Sequence, residues 1–100
     1  QVFRVTKYVI DSLPGIEVGV HLHSAPHNRY EKIDAALKAG CTRYDAAIKG
    51  IGGCPMAGDE LVGNMDTEFM LNHFSQAGYS VNIDSSQLQL CNQIASGIFI

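Results

Sequence analysis

His21 and His23 stand two residues apart in the stretch GVHLHS, residues 19–24. On a β-strand such residues leave the same face, so the two imidazoles project together. A neighbouring pair of this kind has two uses. It can hold a divalent cation, with ring nitrogens at about 2.1 Å from the ion, or it can form a hydrogen-bonded pair at a strand end. Both readings stand on these residues alone. His27, in the loop just beyond, and His73, in a helical stretch, read as surface or packing residues.

Cys54 offers a different chemistry. It lies between Gly53 and Pro55, in a run where Gly50, Gly52, Gly53, Gly58 and Gly63 fall within fourteen residues. A backbone this rich in glycine turns tightly or moves. The run is no phosphate loop, because the Gly-Lys-Ser/Thr ending is absent, and no dinucleotide fingerprint opens a helix after it. A buried cysteine can pack as a small apolar residue. On a glycine loop at a catalytic rim, a thiol of ordinary pKa about 8.5 can instead exchange a proton once a nearby cation lowers that value.

Asn64 closes the loop, and Asp66, Thr67 and Glu68 open the helix that follows. Plain capping accounts for acids and amides at a helix start. Asp45 is more telling, since it falls within an apolar strand where a buried carboxylate needs a partner.

Short elements must place these groups. Val2, Val5, Val9 and Leu13 recur at helical spacing, and Pro14-Gly15 stops that helix. Residues 16–22 form a β-rich run. Asn28 with Glu31 resembles a capping box, opening a helix that carries Tyr30, Ile33 and Leu37 and ends at Gly40. Residues 43–48 form a second strand, which runs into the glycine loop. A helix over 66–77 carries Phe69, Met70 and Phe74, and a last one starts near Asp84 or Ser86 with Leu88, Leu90, Cys91 and Ile94. Strands alternating with helices specify βαβ units and a parallel sheet with a right-handed crossover. His21, His23 and the loop over 49–64 then share one rim. Two parallel strands leave both faces and both edges open, so the expectation is a piece of a larger barrel or doubly wound sheet.

Composition narrows the partners. Of 100 residues, 46% are hydrophobic and 17% charged, which suits a buried α/β domain. A net charge of −3 provides no basic stripe for nucleic acid or an acidic membrane surface. No apolar run approaches the roughly 20 residues of a membrane span. The N-terminus QVFRVTKYVI is unlike a signal peptide and reads as mid-chain. Cys41, Cys54 and Cys91 are odd in number and widely spaced, against a zinc ribbon or a disulfide framework.

GVHLHS, the strand RYDAAIKG and the loop GIGGCPMAGDELVGNMDTE together resemble 3-hydroxy-3-methylglutaryl-CoA (HMG-CoA) lyase. The His-x-His and the Gly-Gly-Cys-Pro-x-Ala…Gly-Asn-x-x-Thr-Glu signature occur in that family's order, and the cysteine-bearing loop is the specific part. The resemblance covers essentially the whole chain. It implies an α/β fold, the C-terminal part of a (β/α)8 TIM barrel: residues 1–100 would be a fragment of one catalytic domain, the last two βα units plus a tail helix. Such barrels typically need about 250 residues.

The resemblance also implies a metal-dependent carbon–carbon lyase that cleaves HMG-CoA to acetyl-CoA and acetoacetate, in leucine degradation and ketone-body formation. A divalent ion, Mg2+ or Mn2+, would be held by His21, His23 and Asn64. Its fourth protein ligand, an aspartate on the first barrel strand, and the arginine beside it are not in this sequence, so the segment alone is expected to be inactive. Cys54 matches the catalytic cysteine, with His21 both ligand and catalytic. Asp45 and Glu68 would support the site, and Gly52 and Gly53 would let the substrate loop close. The partner would be an acyl-CoA thioester, with no nucleic acid or membrane, in a homodimer. The compartment would be the cytoplasm for a bacterial-type enzyme and the mitochondrial matrix for a eukaryotic one.

Two departures bear on the acyl chain. Ser24-Ala25 replaces the Asp-Thr that follows the histidines in mitochondrial enzymes, and the stretch from Cys54 to Asn64 is one residue longer. Sister condensing enzymes or pyruvate aldolases share the histidine pair but lack the Gly-Gly-Cys-Pro loop. A non-catalytic metal-binding module would use the pair alone and tolerate change at Cys54.

Overall fold

The computed structural model describes residues 1–52 and 63–98. Along the chain come α1 (Val2–Ser12), β1 (Gly19–His21), α2 (Arg29–Lys38), β2 (Arg43–Asp45), a 3-10 turn over Ile48–Gly50, α3 (Thr67–Gln76) and α4 (Ser85–Ile98). The strands pair in parallel, with Gly19 opposite Arg43, Val20 opposite Tyr44 and His21 opposite Asp45. Both are shorter than the apolar runs that announce them. Gly15, Gly40 and Gly78, after the first three helices, all adopt the left-handed conformation that ends a helix at little cost to glycine.

Alternation along the strands decides which side groups face the core. Val20 and Tyr44 are half-buried, while Gly19, His21, Arg43 and Asp45 lie on the opposite, open face. Under the covered face sits a cluster of Ile33 from α2, Met65, and Met70 and Phe74 from α3, with Leu22, Leu37, Tyr44 and Phe69 packed against it. The Tyr44 and Phe74 rings meet at a centroid distance of 4.8 Å. Polar contacts tie the same helices together. Asp34 of α2 lies 2.7 Å from the Lys38 ammonium and 3.2 Å from Nε2 of His73, which is buried on α3 and meets Tyr30 edge to face. His73 is thus the packing residue expected.

Two local expectations change and a third holds. The α1 stripe does not form a core: Val5 and Leu13 are exposed, and Thr6 is the buried residue where α1 meets α2. Asn28 and Glu31 form no capping box, because the Asn28 carboxamide oxygen accepts from the backbone N–H of Ala25, at 2.8 Å, instead of from the helix it precedes. Asp66 does cap α3, its Oδ1 accepting from the N–H groups of Glu68 and Phe69 at 2.9 and 3.3 Å.

The open face of the sheet and the outward stripes share one physical state. Phe3, Val5, Tyr8, Leu13 and Ile16 near the N-terminus, and Leu90, Ile94 and Ile98 on α4, are exposed large apolar side chains. A parallel sheet buries both faces when it is complete.

Candidate active site

The chain after the loop returns across both strand ends. The N–H of Met65 donates to the Leu22 carbonyl at 3.0 Å, and that of Ser24 to Gly63 at 2.8 Å, so Asn64 and His23 form an antiparallel bridge. On its other side the N–H of Ala47 donates to Met65 at 2.9 Å and that of Thr67 to Ala47 at 3.0 Å. Asn64 is thereby stitched between the end of β1 and the end of β2.

Glycines make this approach feasible. A Cβ on Gly50 would sit 2.7 Å from the Asn64 carbonyl oxygen, and its φ of +66° already disfavours any side chain. A Cβ on Gly63 would meet the Gly50 carbonyl at 2.8 Å. Gly52 flanks the Asn64 side chain itself, whose Nδ2 donates to the Ile51 carbonyl at 2.8 Å.

The histidines part company at the backbone but stay together in space. β1 ends at His21, and His23 lies beyond it in the bridge to Asn64. Their rings still meet edge to face, with centroids 5.3 Å apart. Nδ1 of His21 lies 3.7 Å from Oδ2 of Asp45 across the register pair, with side chains 57% and 60% exposed. The expectation of a strand carboxylate buried on both sides therefore fails: Asp45 is on the uncovered face. The Lys32 ammonium donates to the His23 carbonyl and fixes the backbone there.

Two polar atoms stand out. Among the described residues, Nδ1 of His23 and Oδ1 of Asn64 are both buried without a hydrogen-bond partner, as is Oδ1 of Asn92 on α4. Buried polar atoms are nearly always satisfied, so two such atoms on bridged residues suit the binding of a ligand. Nitrogen and amide oxygen are donors a divalent cation accepts. Among the described residues no group of three or more His, Cys, Asp or Glu converges as a metal site. The candidate set needs Asn64 as its third member.

Other expected residues fall elsewhere. Cys54 and Gly53 lie outside the described residues. Glu68 turns to α4, its Oε2 accepting from Nδ2 of Asn92 at 2.8 Å. His27 is exposed on the loop after His23, and Cys91 is exposed on α4. Asn92, Lys32 and Lys49 carry no signal in their spacing, and tertiary folding alone gives them their contacts with Glu68, His23 and the loop beside Asn64.

No family model matches the chain. It is 36% identical over 88 residues to an (R)-citramalyl-CoA lyase of Chloroflexus aurantiacus, covering 88% of this chain and 27% of that one. A mitochondrial hydroxymethylglutaryl-CoA lyase of Arabidopsis thaliana is 32% identical over 92 residues, or 92% of this chain and 18% of its own. The solved HMG-CoA lyase from Acinetobacter baumannii, in complex with coenzyme A and 3-methylmalate, superposes with a TM-score of 0.79 at 31% identity. The match covers 96% of this chain and 32% of that one.

The chain is a relative of the HMG-CoA lyases.

The resemblance carried by the histidine pair and the cysteine loop therefore stands, and the relatives are lyases. The chain spans about a third or less of their length. Its fold is that of a partial TIM barrel, which accounts for a parallel sheet covered on one face only. Among the described residues no helix is long and apolar enough to cross a membrane.

Proposed function

We propose that this segment belongs to a metal-dependent lyase that cleaves a 3-hydroxy-3-methyl acyl-CoA of the HMG-CoA type, and that residues 1–100 are the C-terminal portion of its barrel. The observation that carries the reading is the pair of buried, unpartnered atoms on His23 and Asn64, beside His21 at the ends of parallel strands. Enzymes of this architecture carry their chemistry at that rim.

His21, His23 and Asn64 would hold Mg2+ or Mn2+, with an anionic ligand from outside these residues. A cation held there would make the substrate hydroxyl more acidic. The reaction is a retro-Claisen cleavage. The tertiary hydroxyl gives its proton to a neighbouring base, its C–O bond becomes a carbonyl, and the adjacent C–C bond breaks. The electron pair of that bond passes to the thioester as an enolate. Cys54 gives the thiol proton to the enolate carbon, yielding acetyl-CoA, and the other product is an oxo acid. The glycines around Asn64 bring the backbone close, and loop closure excludes water that would otherwise compete for the enolate. Asp45 orients His21 from across the register pair.

HMG-CoA gives acetoacetate as the oxo acid. The 36% identity to a citramalyl-CoA lyase favours a second substrate, shorter by one methylene, which would give pyruvate. The test is turnover of the complete enzyme with each thioester, in wild type and in Cys54→Ser. Wild type releases acetoacetate or pyruvate along with acetyl-CoA, and the variant loses roughly 10²- to 10⁴-fold in rate, the usual worth of one acid–base group, with metal affinity unchanged. No product from either thioester refutes the lyase, and full activity in Cys54→Ser returns the site to a sister enzyme or a plain metal-binding module.

A further inference from the structure

A cavity of about 460 Å3 lies beside Asn64, on the side of the loop between His23 and α2. Its walls include Ser24, His27, Arg29, Lys49, Asn64 and Asp66. Three of these six carry or can carry positive charge, and one is an acid.

The acid is engaged. Asp66 Oδ1 accepts from two backbone N–H groups at the start of α3, and its Oδ2 lies 3.6 Å from the Arg29 guanidinium. Arg29 is fixed in turn, its guanidinium stacked 4.3 Å above the Phe69 ring. Lys49 differs. Among the described residues it has no carboxylate within ion-pair distance, and it is exposed. Its φ of +57° is the one left-handed value among the described non-glycine residues. A lysine gains nothing from that conformation by itself, and such outliers collect at ligand sites, where the surrounding fold holds them. Here the holding contacts are the N–H of Gly50 to Ala47, at 2.9 Å, and that of Ile51 to Ile48, at 3.2 Å. The next residue, Gly50, lies against Asn64, whose N–H donates to the Gly50 carbonyl at 3.0 Å. The turn that strains Lys49 is therefore the turn that seats Asn64.

We propose that this cavity is an anion subsite, in which Lys49, flanked by Arg29 and His27, holds a carboxylate or phosphate of the ligand whose reacting end lies at His23 and Asn64. The inference rests on the lyase reading and adds to it a specificity-determining residue. An ammonium and a guanidinium sharing one rim favour anions, and a nearby neutral amide does not oppose them. An acyl-CoA ligand offers two such groups, the free carboxylate of its acyl chain and the phosphates of coenzyme A.

The test uses the complete enzyme with Mg2+, titrated calorimetrically with coenzyme A and separately with 3-methylmalate. Lys49→Gly suits the left-handed backbone, so folding is not the confounding effect. Lys49→Gly and Lys49→Glu should weaken one probe by about 10-fold or more, the scale of a hydrogen bond to a charged group, and Lys49→Arg should recover most of the loss. Weakened coenzyme A with unchanged 3-methylmalate assigns the subsite to a phosphate, and the reverse assigns it to the carboxylate. Both affinities unchanged in Lys49→Glu overturn this proposal while leaving the lyase intact. Wild type that binds neither probe overturns the lyase reading and the subsite with it.

Discussion

His23 and Asn64 are backbone partners in an antiparallel bridge, and each carries one buried polar atom with no hydrogen-bond partner among the described residues. Forty residues of chain separate them, including the whole of α2 and β2. The bridge holds these two side chains at one point, and preorganisation of this kind is what a metal site would need.

His23→Ala and Asn64→Ala in the complete enzyme should each weaken Mg2+ or Mn2+ binding by about 10-fold or more, the loss seen even for supporting residues of metal sites. The metal-free proteins give the sharper contrast. Asn64→Ala loses one hydrogen bond to Ile51 but also removes an unsatisfied oxygen, so its melting temperature without metal should barely change. Stabilisation by added metal, which follows mass action, should shrink in step with the weaker affinity. A metal-induced rise in melting temperature equal to that of wild type in both variants rules the two residues out as ligands.

Gly50→Ala should damage the site from behind. The new methyl would lie 2.7 Å from the Asn64 carbonyl, at a φ of +66°. We expect a loss of more than about 1 kcal/mol in stability and weaker metal binding, because Asn64 must shift. Gly40→Ala is the control. It has a similar φ of +96° but open space around the added methyl, so it should lose stability and keep its metal affinity. Equal metal affinity in both variants would mean that Gly50 does not position Asn64.

The α2–α3 contact should weaken in acid. The hydrogen bond from Lys38, chiefly, holds the Asp34 carboxyl below its usual range, with His73 adding to the effect and burial opposing it. A carboxylate whose folded pKa is depressed stabilises the fold above its unfolded pKa, about 3.9, and loses that contribution as pH falls through the folded value. Asp34→Ala also strips the buried His73 of its partner, a cost of about 1–3 kcal/mol near neutral pH. Melting temperatures of wild type and variant, measured from pH 6 to 3, should differ by a steady amount down to about pH 5 and converge below pH 4. A constant gap across the whole range would show that the Asp34 charge contributes nothing.

Much of the site was legible in the residues. The two-residue spacing of His21 and His23 brought their rings to one place even though the strand ends between them, because an extended chain alternates sides whether or not it is paired. The glycine run announced tight turning, and Asp66 as a helix cap followed from its type and position. Asp45 and α1 misled for a shared reason. Apolar spacing says which residues could be buried together, and it does not say whether the covering layer lies in the same hundred residues.

The sequence by itself determined the element order, the parallel pairing and the lyase resemblance, all of which depend on local spacing and residue chemistry. Only the tertiary structure decided that Asn64 bridges His23, that Asp45 faces His21 on an open sheet, that Glu68 turns to Asn92, and that Lys49 is held left-handed beside the cavity. Those relationships join residues tens of positions apart through backbone hydrogen bonds and close glycine contacts. They exist only when the chain is folded back on itself, where a few tenths of an ångström decide which neighbours can meet.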